Sequence, residues 1–171
     1  GTRRAPVGPT WRGLRRQATS GVGFGAPCGP GGDVVRCRDG AVASVGWKIG
    51  GSGNATVIPG GGPFESGWAF DAGPGNMLLD QVASILTSGA AAFDEGGRMA
   101  AGGAVHEDVV ALRMQDSFIR SDPPKAAARQ LYGEEFTRAF IARCAVLNFP
   151  PADIMATAHD LTAAGSAART R

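Results

Sequence analysis

The chain has little of what marks the commonest specialised classes. Its 171 residues include three cysteines, Cys28, Cys37 and Cys144, an odd number without C-x-x-C spacing. A disulfide framework and a zinc site are therefore not expected, and a reducing, cytoplasmic setting fits better. Aromatic residues make up only 7% of the chain, so a thin core is expected. No apolar run approaches the length of a membrane span. A net charge of +2 gives no basis for nucleic-acid binding. Neither Ser20 nor Ser52 has a histidine at a triad-like spacing, which excludes a serine-hydrolase reading.

Glycine is what the chain has in excess: 27 residues, roughly twice the usual share. The glycines gather in residues 21 to 32, 50 to 62 and 95 to 103, so they mark loops rather than a repeat. Residues 41 to 49 alternate as a half-buried strand, with Ala43, Val45, Trp47 and Ile49 on one face. Gly50-Gly51-Ser52-Gly53-Asn54 follows, then the β-rich run Ala55 to Ile58, which predicts a hairpin with a glycine loop. Such bare glycines let backbone amides approach a phosphate, though a plain turn has the same composition.

The second glycine junction is Phe70-Asp71-Ala72-Gly73-Pro74-Gly75-Asn76. An apolar strand ends in Asp71, a Gly-Pro-Gly turn follows, and Asn76 opens a helical pattern. A helix N-terminus there favours an anion, and the preceding carboxylate suits a cation or a water on that cation. The alternative is a tight turn capped by Asn76. Together, the two junctions suggest two phosphate-facing loops of one site.

One domain is expected for this length. Residues 1 to 38 read as irregular, with a short strand possible at Asp33 to Arg38 before an Asp39-Gly40 turn. Residues 39 to 165 carry the periodic segments, and 166 to 171 read as a disordered tail. Asn76 to Ser88 predicts a helix whose Leu78, Val82 and Ile85 face is expected to pack on the hairpin carrying Val45 and Trp47. Further helices are expected from near Val105, over Gly133 to Val146, and from Pro151, where proline suits a first turn. Arg3, Arg4, Arg12, Arg15 and Arg16, with no acidic residue among the first 17, fit either an organelle transit segment or a disordered end.

From residue 48 onward the chain resembles the anhydro-N-acetylmuramic acid kinases, sugar kinases of the actin/hexokinase type. Lys48 to Thr56 is similar to the family's N-I-G-G-x-x-N-x-T hairpin, and Phe70 to Asp80 to its F-D-T-G-P-G-N-x-L-x-D segment, with Ala72 for threonine. Phe93 to Glu107 resembles Y-D-x-D-G-x-x-A-x-x-G-x-V-D-E, and Pro123 to Gln130 resembles P-P-K-S-T-G-R-E. Asp153 to Ala163 is similar to the helix D-x-x-A-T-x-x-x-L-T-A. The departures lie at the ends. Ala18 stands where the family's F-R-x-x-D pattern carries its aspartate base, and Phe24 replaces a glutamine. The family's G-T-S-x-D-G phosphate loop and its late G-G-G adenosine loop have no counterpart here.

The resemblance implies an α/β fold, an incomplete ribonuclease H-like lobe with a small sheet, a hairpin and about four helices. It implies ATP and Mg2+ as cofactors and an amino sugar as substrate. O6 of 1,6-anhydro-N-acetylmuramic acid would take the γ-phosphate while water opens the anhydro bridge. Gly50, Gly51, Gly53, Asn54, Gly73, Gly75 and Asn76 would face the phosphates, Asp71 would hold the metal, and Asp80, Lys125 and Arg129 would meet the substrate. Ala18 leaves no catalytic base, so this chain alone is expected to be inactive. A non-catalytic sugar-phosphate or nucleotide-binding module, or a truncated gene product, is the alternative. His106 is expected to be an exposed polar residue, and His159 has no carboxylate partner legible in the sequence. Neither nucleic acid nor membrane is an expected partner; self-association through apolar surface around residues 11 to 36 is.

Overall fold

The computed structural model describes residues 39–61, 66, 68–123, 125–127 and 131–167. Expectations placed on residues 1–38, including Ala18 and the strand at 33–38, lie outside these residues, as does Arg129. Asp39 opens the described chain as an Asx turn, its Oδ1 accepting from Ala41 N at 2.8 Å and Val42 N at 3.1 Å.

Three strands form an antiparallel meander in the order β1 (Ser44–Ile49), β2 (Ser52–Ile58) and β3 (Trp68–Pro74). The β-rich alternation foreseen for 41 to 58 produces the first two, paired Val45 with Val57 and Trp47 with Ala55. Only Gly50 and Gly51 make the turn. Ser52, Gly53 and Asn54, expected in a loop, belong to β2. The Gly-Pro-Gly turn is likewise narrower than expected, because β3 runs on through Gly73 and Pro74. Between β2 and β3 the register slips: Gly53 pairs with Gly73 but Asn54 pairs with Asp71. Ala72 is the extra residue of this bulge, and the bend brings Asn54 opposite Asp71.

Helix α1 (Asn76–Leu86) follows Gly75 and buries Leu78, Val82 and Ala83. It ends where Thr87 turns its hydroxyl back to Ala83 O at 2.8 Å and Ser88 and Gly89 take positive φ. Two one-turn helices, α2 (Arg98–Ala101) and α4 (Ser117–Arg120), flank α3 (Glu107–Arg113). Helices α5 (Glu134–Val146) and α6 (Pro151–Ala167) are the last described elements. α6 runs two residues into the stretch expected to be a tail. Among the described residues six α-helices stand where about four were expected, because single turns are too short to show a period.

The packing corrects one expectation. Leu78 and Val82 do not pack on the hairpin; they join Val109, Phe140, Cys144, Met155 and Leu161 in a helical core. The sheet has its own small cluster of Ala55, Phe70 and Ala72, with Trp47 and Val57 beside it. Phe140 and Leu161 are fully buried, and each such side chain contributes about 1.5–3 kcal/mol. The two clusters meet through small residues: a Cβ on Gly73 of β3 would lie 3.4 Å from Gly165 Cα of α6.

Candidate functional site

The two glycine junctions do converge, through hydrogen bonds of their own. Asn76 N donates to Gly50 O at 2.8 Å and Met77 N to Gly51 O at 3.1 Å. Asn76 Nδ2 donates to Ile49 O at 3.2 Å. The next two amides of α1, from Leu78 and Leu79, turn to Gly75 O. The helix start therefore gives its first N–H groups to the hairpin tip, where open anion-binding amides were expected.

The glycines explain how the pieces come so close. A Cβ on Gly75 would lie 2.7 Å from Gly50 O and from Ser52 C, and one on Gly53 would lie 3.3 Å from Pro74 O. Gly51 faces only the Met77 side chain, its terminal methyl nearest at 3.4 Å. None of Gly50, Gly51, Gly53, Gly73 or Gly75 has a positive φ. Close packing of backbone on backbone, rather than left-handed geometry, is what Gly75 and, less tightly, Gly53 require.

Asp71 lies at the centre of the arrangement and is buried. Its Oδ1 accepts from Asn54 Nδ2 at 3.1 Å, and its Oδ2 from Ala127 N at 2.7 Å. Its own amide donates to Lys125 O at 3.0 Å, so residues 125–127 lie along β3 at this point. Each carboxylate oxygen has a second lone pair. Among the described residues no three His, Cys, Asp or Glu side chains gather as a metal cage. The donor set suits a cation that keeps several of its own waters, as magnesium does, more than one stripped bare.

Lys125, expected to grip a substrate, donates its ammonium to Phe118 O at 2.8 Å and Ile119 O at 2.9 Å, over the Phe118 ring. It closes the C-terminal end of α4. Asp80 is exposed one turn into α1, where local desolvation holds its carboxyl above the ordinary value.

Three relationships were not foreseen. Tyr132 is buried against Phe118 and Phe136, and its hydroxyl has no hydrogen-bond partner among the described residues. Burial pushes the phenol up, helped by the charges of Asp116 and Asp71. His106 is half-buried, stacked on Phe149 and bonded to Asp153, instead of exposed. His159 does face a carboxylate, Asp94 Oδ2, at 3.6 Å. The partners of His106 and His159 lie dozens of residues away, whereas only residue spacing within one element is visible in a single sequence.

The model of the anhydro-N-acetylmuramic acid kinase family matches residues 9–170. A protein of that name from Caldanaerobacter subterraneus subsp. tengcongensis is 36% identical over 141 residues, covering 82% of this chain and 36% of the relative. Another of that name, from Bacillus cereus (strain AH187), is 36% identical over 121 residues, covering 71% of this chain and 31% of the relative. The chain spans about a third of the length of these relatives.

Proposed function

The chain belongs to the anhydro-N-acetylmuramic acid kinase family, and on that premise we propose that it forms the Asp71-centred phosphate and magnesium side of an ATP-dependent sugar-kinase site. The observation that carries this reading is the junction of the hairpin, β3 and the start of α1 around one buried, hydrogen-bonded carboxylate. In the reaction, a base takes a proton from water, whose oxygen bonds to the anomeric carbon. The bond from that carbon to O6 breaks, O6 bonds to the γ-phosphorus, and the bridging bond to ADP breaks. Magnesium, when bound, neutralises charge on the transferring group. Asp71 is suited to hold it through water, oriented by Asn54 and Ala127 N.

The water-activating step needs a general base. Ala18 occupies the position where the family pattern has its aspartate, and alanine cannot take a proton. We therefore propose nucleotide–magnesium binding without turnover by this chain, the behaviour of a non-catalytic binding module. A cytoplasmic setting fits this reading, and among the described residues no helix is long and apolar enough to cross a membrane.

The purified chain incubated with labelled ATP, magnesium and anhydro-N-acetylmuramic acid should yield no sugar phosphate. Calorimetry should register saturable binding of ATP with magnesium that Asp71→Asn weakens at least tenfold. Sugar phosphate above background overturns the absence of turnover, and affinity unchanged in Asp71→Asn overturns the placement of the site.

A further inference from the structure

We propose that Asn54 is a positioning residue that acts on a bound metal–nucleotide only through Asp71, and is not itself a phosphate contact. The inference rests on the reading of Asp71 as the carboxylate that holds the metal.

The bulge at Ala72 sets the pairing of Asn54. Without it, Asn54 would pair in simple sequence with Ala72; with it, Asn54 lies directly opposite Asp71. A bulge inserted at one place in a sheet re-aims one side chain, and here the re-aimed pair is an amide and a carboxylate. Asn54 Nδ2 donates to Asp71 Oδ1 at 3.1 Å and lies 3.4 Å from Ser52 O, so its donor group points at protein acceptors on both sides. Ala127 N fixes Oδ2 and Asn54 fixes Oδ1, which sets the plane of the carboxylate and the direction of its remaining lone pairs. Loss of one such support lets the carboxylate rotate, and outer supports of this kind affect metal affinity about 10–100-fold.

A double-mutant cycle separates action through Asp71 from direct contact with phosphate. The affinity of the full chain for Mn2+ in the presence of ATP is read from the paramagnetic resonance of free Mn2+, for the wild-type chain, Asn54→Ala, Asp71→Asn and the double variant. Asn54→Ser retains a hydroxyl donor and guards against a variant that fails to fold. The thermal midpoint of each variant is recorded as well. Asn54→Ala is expected to weaken Mn2+ binding about tenfold on the wild-type background and to change it less than twofold on the Asp71→Asn background. Asn54→Ser should recover part of the loss. Equal losses on both backgrounds, or no loss in Asn54→Ala while Asp71→Asn weakens binding, overturn the role of Asn54. Binding absent from the wild-type chain, or unaffected by Asp71→Asn, overturns the metal-holding role of Asp71, and the inference falls with it.

Discussion

His106 and Asp153 meet across 47 residues, Nε2 to Oδ2 at 2.9 Å, and tie the turn before α3 to the first turn of α6. The same carboxylate accepts from Ala104 N through Oδ1 at 2.9 Å. Thr157 Oγ1, one turn further along α6, accepts from His106 N at 3.2 Å. The turn before α3 is thus held to α6 by backbone and side chain together.

Those bonds give stability a pH dependence of known sign. The Ala104 amide, then the His106 ring, hold the Asp153 carboxyl below its ordinary value. A carboxyl depressed on folding stabilises above its unfolded value, about 3.9, and loses that contribution as pH falls through the folded value. The difference in thermal midpoint between the wild-type chain and Asp153→Asn should be positive at pH 7. It should shrink as the pH drops below about 4. A difference that grows on acidification would refute this.

Gly103 and Gly51 should respond oppositely to alanine. A Cβ on Gly103 would lie 2.1 Å from Ala152 O, a backbone atom, whereas one on Gly51 meets only the Met77 side chain, at 3.4 Å or more. Gly103→Ala is expected to cost about 1–3 kcal/mol in urea unfolding, and Gly51→Ala less than about 1 kcal/mol. Comparable losses would mean that the loop before α3 tolerates displacement.

Tyr132→Phe should leave stability unchanged or raise it by about 1 kcal/mol. The ring stays packed against Phe118 and Phe136, while a buried hydroxyl with no partner among the described residues is removed. A clear loss in chemical denaturation would reveal a hydrogen bond to that hydroxyl.

Lys125→Met keeps most of the buried stem and removes the ammonium from Phe118 O and Ile119 O. Two carbonyls at the end of α4 then lack that donor, for an expected cost of about 1–3 kcal/mol. If Lys125 instead served only a ligand, stability would not move, so equilibrium unfolding of the variant decides its role.

The legible part of the fold was whatever repeats locally. Leu78, Val82 and Leu86 recur at helical spacing and α1 formed; Val45 and Trp47 alternate and β1 formed. That the two glycine junctions belong together was suggested by the second following the first so closely in sequence. What the junctions do with their amides was not, because the partner of Asn76 N is a carbonyl 26 residues earlier. The register slip that places Asn54 against Asp71 depends on strand pairing, to which alternation within either strand is blind. Lys125 looked like a ligand-gripping cation because nothing in its neighbourhood announced the one-turn helix that binds it.

The hairpin tip also acts as a built-in competitor. An oxyanion that reaches Asn76 N and Met77 N must first displace Gly50 O and Gly51 O. Each such bond is worth about 0.5–1.5 kcal/mol net, so together they would weaken binding at those amides by about one to two orders of magnitude. A phosphate that engages the side chains around Asp71 without prying the hairpin away escapes that penalty. Selection by this junction would then favour ligands that bring their own cation over bare anions of the same charge.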